Sequence, residues 1–301
     1  MPNWAELLTE QRNPASERID EVSTLEMLQI IQAEDERVSP AVGAELPQIA
    51  RAVDLVSTAF NQGGRLLYLG AGTSGRLGIL DASECPPTFR APPELVQGLI
   101  AGGERAVFRA VEGAEDDSRG AIAQLEERGL RSNDVVMGIA ASGVTPYVLG
   151  GLRFAKEQGC STIFFTCSAV SPPPEVDLLI APRVGPEVLT GSTRLKAGTA
   201  TKLTLNMITT GAMIRCGKTY GNLMVDLQPT NQKLIDRSRR IFSALTDADD
   251  EHAQQHLSAA GGDLKIALVM ELCSVDSATA KQLLDSHNGS VKGAVRSSQR
   301  P

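Results

Sequence analysis

The stretch Tyr68-Leu-Gly-Ala-Gly-Thr-Ser-Gly-Arg-Leu-Gly78 reads as the end of a buried strand, a glycine-rich turn carrying two hydroxyls, and the start of a helix. Such a turn aims backbone N–H groups and the positive end of the helix at an anion. Asp81-Ala-Ser-Glu-Cys-Pro-Pro87 and Val111-Glu-Gly-Ala-Glu-Asp-Asp117 follow it. An anion cradle followed by isolated glutamates points to acid–base chemistry on a small phosphorylated molecule.

Outward from this turn, short apolar runs alternate with helical patterns. Strands are expected at Arg65–Leu69, Leu95–Ile100, Asp134–Ala140, Ser161–Thr166 and Val176–Ala181, with helices at about 117–128 and 145–158 between them. Alternating β and α units with continuously apolar strands predict a parallel five-stranded sheet flanked by helices, an α/β fold. Ligands of such sheets bind at the carboxyl ends of the strands. Before the sheet, residues from about 17 to 62 read as helical, with Ser16 and Ser23 as N-caps and a helix from Pro40 to Asn61. After it, Lys196 to Cys216 is one long helix. The last sixty or so residues are short helices separated at Gly261-Gly262 and Asn288-Gly289. The expected organisation is an N-terminal helical segment over 1–62 packing on the core, a ligand-binding α/β domain over 63–235 and a small C-terminal helical subdomain over 236–301.

The composition narrows the partners. In 301 residues, aromatics make up 4% and the formal net charge is −7, so stacking on bases and a nucleic-acid partner are both disfavoured. No apolar stretch is long enough to span a bilayer, and Met1-Pro-Asn-Trp-Ala-Glu-Leu-Leu8 lacks the basic and apolar segments of a signal peptide. Five cysteines without a C-x-x-C argue against a disulfide framework or zinc knuckle. The cytoplasm is the expected compartment.

Gly70, Gly72 and Gly75 formally match G-x-G-x-x-G, a weak signal for a dinucleotide. The acidic residue that would hold a ribose is missing after the second strand, since Glu94 lies before it. The hydroxyls of Thr73 and Ser74 also occupy positions where a pyrophosphate needs bare backbone. A single phosphate fits better. Ala140-Ala-Ser-Gly-Val-Thr-Pro146 is a second loop of the same kind, offering Ser142, Thr145 and the amides near Gly143. Singly, Ser142 and Thr145 read as helix caps. Two hydroxyl-bearing loops at one sheet edge read as a sugar-phosphate site. Thr190–Lys202 adds further hydroxyls and cations, although a small-residue helix packed on a partner would show the same composition. Glu115, just before a helix, would ordinarily be read as a cap. Glu84 precedes Pro86-Pro87, read as a rigid break after the first helix. His252 and His256 stand four apart on one helix face. Ala253 takes the place of the H-E-x-x-H glutamate, so a solvated face without metal is expected.

Gly70–Gly78, Asp81–Phe89, Ala141–Tyr147, Gly191–Lys202, Asn222–Asp226 and the N-terminal Leu8–Asn13 and Ile19-Asp20 together resemble the N-acetylmuramic acid 6-phosphate etherase family. The family pattern would place an arginine at Val144. The resemblance implies the sugar isomerase (SIS) fold, a homodimer, and cleavage of the D-lactyl ether of N-acetylmuramate 6-phosphate during recycling of cell-wall sugars. It implies no cofactor and no metal. It assigns Glu84 as the acid protonating departing lactate and Glu115 as the base at C2. Ser74, Ser142, Gly143 and Thr145 become the phosphate-binding positions. Thr73, Arg76, Ser192 and Lys196 are further substrate contacts suggested by hydroxyl or charge. The alternative readings on the same fold are an aldose–ketose isomerase and a sugar-phosphate sensor resembling the glucokinase regulatory protein. A regulator with a basic N-terminal DNA-binding helix pair is disfavoured by the acidic Glu34-Asp-Glu36.

Overall fold

The computed structural model describes residues 7–169, 171–227 and 232–298. Its described residues form two compact units. The first takes those up to 83 together with 93–209, and the second takes 84–92 and those from 210 onward.

The first unit opens with α1 (Thr24–Asp35), α2 (Val38–Ala44) and α3 (Leu46–Asn61). Ser23 caps α1 as expected, accepting the Glu26 amide. Ser16 does not cap a helix; its hydroxyl donates to the Val188 carbonyl at 2.9 Å. The helix expected from Pro40 to Asn61 is two helices, because the chain turns at Glu45 and Pro47 restarts it near the N-terminus of α3.

The sheet follows: β1 (Leu66–Gly70), α4 (Gly72–Phe89), β2 (Val96–Ile100), α5 (Arg105–Phe108), α6 (Gly120–Glu127), β3 (Val135–Ile139), α7 (Pro146–Glu157), β4 (Ser161–Phe165), β5 (Leu178–Ile180) and then α8 (Lys196–Arg215). The five strands are parallel in the order β2-β1-β3-β4-β5. Every residue of β1 and β3 is buried, which is why these runs are apolar on both faces. Leu67, Leu69 and Val136 face Leu125, Val148 and Leu152 of α6 and α7. Tyr68 points to the opposite face, toward α4, where a Cβ on Gly78 would come within 2.9 Å of its own Cβ. Arg65 and Asp134 tie the entries of β1 and β3 together: Asp134 accepts both the Arg65 amide at 2.9 Å and its guanidinium at 2.6 Å.

The N-terminal helices belong to this same unit, and buried polar contacts explain why. Asn13 Nδ2 donates to Glu34 at 2.8 Å and to the Pro186 carbonyl at 3.0 Å. Glu34 also pairs with Lys196, and Glu45 accepts the Ala181 amide at 3.1 Å.

A second correction concerns α4, which does not break after Glu84. It runs through Pro86 and Pro87 to Phe89, without the two amide hydrogen bonds that prolines cannot donate.

The second unit holds the ends of α4 and α8, the hairpin β6 (Thr219–Tyr220) and β7 (Leu223–Met224), and five helices: α9 (Gln232–Thr246), α10 (Asp250–Ala259), α11 (Leu264–Cys273), α12 (Ser277–Ser286) and α13 (Val291–Ser298). Asp249, Asp263 and Asp276 cap α10, α11 and α12 through the amides of His252, Ile266 and Thr279. Each such cap contributes about 1 kcal/mol. Phe242, Leu257, Leu264 and Leu268 form its core. Asp226, in the Asn222–Asp226 stretch, is held by Lys218 at 2.9 Å and Lys265 at 3.1 Å. No described helix is long and apolar enough to cross a membrane.

Candidate active site

The strand order reverses between β1 and β3, since β2 lies on one side of β1 and β3, β4 and β5 follow on the other. Loops that leave such a switch point diverge and open a crevice at the carboxyl edge of the sheet. Here those two loops are the Gly70–Ser74 turn and the Ala140–Pro146 turn, the pair singled out by their hydroxyls.

The glycines of the first turn act through packing. A Cβ on Gly70 would lie 2.5 Å from the Gly75 amide, and one on Gly75 would lie 2.5 Å from Ile100. Only bare backbone lets α4 start this close to β1. Gly72 has φ +52°, the left-handed conformation that turns the chain from strand into helix. The first amides of α4 are left without intrahelical acceptors, because the bond from Gly75 N–H to the Ala71 carbonyl closes the opening turn.

Between the two loops lies a cleft of about 210 Å³ lined by Ser74, Ser142, Val144, Thr145 and Glu115, with Glu10, Asp116, Gly191 and Thr193 along its wall. Among the described residues, no hydrogen bond engages the hydroxyls of Ser74, Ser142 or Thr145. Thr145 is the N-cap residue of α7, but its side chain does not cap. The capping explanation therefore fails for this hydroxyl. Gly143 has φ +85° and its own amide bonds the Ala140 carbonyl at 2.9 Å, so it shapes the loop rather than offering its N–H.

Glu115 sits in a single 3₁₀ turn, Ala114–Asp116, exposed at the cleft. It does not cap the next helix: α6 begins only at Gly120, and the turn before it is closed by Asp117, which accepts the Arg119 amide at 2.9 Å. An adjoining hollow of about 240 Å³ shares Glu115 and Ala71 and is lined by Arg76. The Arg76 guanidinium donates to the carbonyls of Ala106 and Val107, both at 2.8 Å, and so fixes the segment around α5. Glu84 is exposed on the part of α4 that belongs to the second unit.

One expected contact has another occupation. Lys196 is 1% exposed and its ammonium is bonded to Glu34, itself 2% exposed, so the structure makes it a buried structural cation. Burial works to raise the Glu34 pKa, but the Lys196 ammonium and the Asn13 amide outweigh it and hold the carboxyl below its usual range. Thr73 turns toward α8, where a Cβ on Gly198 would meet its methyl at 3.7 Å. Ser192 is half-buried between Gly191 and Thr193 of the cleft wall.

Two carboxylates near these motifs serve the frame. Asp81 accepts from the Tyr68 hydroxyl at 2.9 Å, Asn206 at 2.8 Å and Thr209 at 3.2 Å, joining β1, α4 and α8. Burial pushes its pKa up against those bonds. Glu187 accepts the Lys196 and Ala197 amides at 3.0 and 2.9 Å, at the start of α8, and burial raises its pKa too. Thr193 brings the Thr190–Lys202 cluster to the cleft, whereas Glu10 and Asp116 are cleft residues that sequence reasoning missed. Glu10 lies in the quoted N-terminal stretch, but nothing in its spacing placed it beside Gly191, whose Cβ position is 3.3 Å from Glu10 Oε2.

The chain is similar to several known proteins. The glucokinase regulatory protein N-terminal SIS domain matches residues 48–156, and a UBA-like domain matches 241–270. An N-acetylmuramic acid 6-phosphate etherase of Vibrio vulnificus strain YJ016 is 54% identical over 290 residues, covering 96% of this chain and 97% of that protein. The enzyme of the same name from Clostridium beijerinckii is 51% identical over 295 residues, covering 98% and 97%. A solved phosphoheptose isomerase from Francisella tularensis superposes over 63% of this chain and 100% of that one at 17% identity, with a TM-score of 0.48. At half or more of all positions identical along nearly its whole length, the chain belongs to the N-acetylmuramic acid 6-phosphate etherase family.

Proposed function

We propose that the cleft between the β1 and β3 loops grips the 6-phosphate of N-acetylmuramate 6-phosphate, and that Glu115 and Glu84 carry out the elimination that releases D-lactate. One observation carries the reading: three unengaged hydroxyls, the open start of α4 and the Glu115 carboxylate line one small cleft at the switch point of the sheet.

As a member of its family, the chain is a lyase that converts N-acetylmuramate 6-phosphate and water into N-acetylglucosamine 6-phosphate and D-lactate. The chemistry accounts for the residue types. In the open-chain sugar the C2 proton is α to the aldehyde, and the carbonyl takes up the electron pair when that proton leaves. Glu115, as carboxylate, takes the proton. The electron pair returns to form the C2–C3 double bond and the C3–O bond breaks, with Glu84, as carboxylic acid, protonating the lactate oxygen. Water then adds at C3 and a proton returns to C2. Each positioned acid or base typically contributes ~10²–10⁴-fold in rate. Ser74, Ser142, Thr145 and the first amides of α4 hold the phosphate in a field that favours a dianion. Val144, where the family pattern places arginine, leaves this grip to hydroxyls and backbone.

A homodimer and a cytoplasmic location belong to the same reading. Phe108 is 88% exposed, in the segment that Arg76 braces beside the hollow, a position that suits burial by a second copy. The five cysteines are free thiols, which suits a reducing compartment.

The test is direct. Purified protein is incubated with N-acetylmuramate 6-phosphate or with unphosphorylated N-acetylmuramate, and D-lactate is measured. Release from the phosphorylated sugar alone is expected. Equal turnover of both sugars would remove the phosphate grip from the account, and release from neither would remove the activity.

A further inference from the structure

We propose that His252, His256 and Glu271 form a binding site for one divalent transition-metal ion of the zinc class, joining α10 to α11 in the second unit. The pair read from the sequence as a solvated, metal-free face packs on Phe242 and meets a carboxylate. Its third partner comes from the next helix, nineteen positions on from His252.

The geometry is that of a two-histidine, one-carboxylate set. Nε2 of His252 lies 3.0 Å, and Nε2 of His256 3.1 Å, from the same oxygen, Oε2 of Glu271. All three candidate ligand atoms lie within 4.8 Å of one another. Zinc bonds imidazole nitrogen and carboxylate oxygen at about 2.0–2.1 Å, so tetrahedral ligand atoms sit about 3.3 Å apart. Small outward shifts of the three tips make room for the ion.

The orientation of the rings adds a separate argument. Nδ1 of His256 stands 3.3 Å from the His252 carbonyl, the position of an N–H donor. With the proton there, a neutral ring turns its Nε2 lone pair toward the carboxylate oxygen, an arrangement that a cation between them makes favourable. A backbone carbonyl holding one ring nitrogen so that the other is presented to a metal is the usual outer support of a histidine ligand. The two rings are stacked at 4.3 Å, and the buried Phe242 ring backs them at 5.5 and 6.5 Å. Their directions are therefore set by packing before any ion arrives. His252 remains 43% exposed, which leaves the fourth coordination position to water. Three ligands and an open position give a moderate-affinity site that braces two helices.

The experiment uses the full chain, stripped with a chelator and titrated with Zn²⁺ against a chromophoric competitor, with Co²⁺ absorption as a second readout. One ion per chain at micromolar affinity is expected, together with a rise in melting temperature on adding Zn²⁺. Glu271→Gln and the double variant His252→Gln/His256→Gln keep the side-chain volumes. Each should weaken binding by about 100-fold or more, since even the outer partners of a metal ligand are worth 10–100-fold. Both variants retain all five cysteines, so thiol binding elsewhere would persist in them. Unchanged stoichiometry and affinity in the double variant would overturn the proposal. So would a wild type whose melting temperature ignores Zn²⁺ but falls as pH rises through the imidazole range, which would assign the trio to a protonated ion pair.

Discussion

The cleft and the polar network beneath α8 are built from the same kinds of residue and do opposite things. Around the cleft, Ser74, Ser142 and Thr145 carry hydroxyls with no protein partner among the described residues. In the network, Asn13, Glu34, Lys196 and Glu187 are buried and bonded to one another or to backbone. Polarity inside a recognisable motif therefore does not mark a ligand contact. What separates the two regions is whether the protein already satisfies the group. A buried polar atom must find a partner inside the fold, whereas a site keeps donors and acceptors open for what it binds.

The sharpest way to break this contrast is at Glu115. Replacement by Gln keeps the shape and removes the base, so turnover should fall by ~10²–10⁴-fold or more. Glu115 is exposed, so the melting temperature should stay within the small range of surface substitutions. A large loss of stability with little loss of rate would place Glu115 in the frame instead.

Lys196 should behave in the reverse way. Lys196→Met removes the buried cation and leaves Glu34 to Asn13 and the exposed Arg37, and removing one partner of a buried pair costs up to about 3–5 kcal/mol. Denaturant unfolding measures this. KM of whatever folded protein remains should stay near the wild-type value. A stable variant with a raised KM would return Lys196 to the substrate.

The hydroxyls come next. A hydrogen bond to a charged group is worth about 1.5–3 kcal/mol, so Ser142→Ala or Thr145→Val should raise KM roughly 10- to 100-fold, with stability unchanged. Because Thr145 does not cap α7, helix stability should be indifferent to its loss. A drop in melting temperature without a kinetic effect would revive the capping explanation.

The smallest effect is a pH dependence of stability. The Glu34 carboxyl lies below its usual value when folded. Its contribution is therefore complete above the ordinary carboxylate range and is lost as pH falls toward the lowered value. The double variant Glu34→Leu/Lys196→Met should lose less stability than wild type between neutral and acid pH. Parallel acid titrations of the two proteins would contradict this.

Much of this was legible in the sequence because two local signals agree with the fold. Continuous apolar runs mark the strands of a sheet covered on both faces, and the Gly70–Ser74 and Ala140–Pro146 turns mark its carboxyl edge. What escaped depends on contacts across the chain. Lys196 looked like a substrate contact because its partner, Glu34, lies 162 positions away. Glu10 entered the cleft wall at the end of a single 3₁₀ turn, Leu8–Glu10, too short for any periodicity to mark. Pro86 and Pro87 suggested a break, yet α4 continues through them. The histidine pair was visible at its i, i+4 spacing, but Glu271 on the next helix was not.

The most direct measurement is hydrogen–deuterium exchange at C2 of the sugar in heavy water, followed by NMR. If the cleft delivers the substrate to Glu115, Glu115→Ala abolishes exchange, while Glu84→Ala retains exchange and loses D-lactate release. Exchange at the wild-type rate in folded Glu115→Ala would contradict the account.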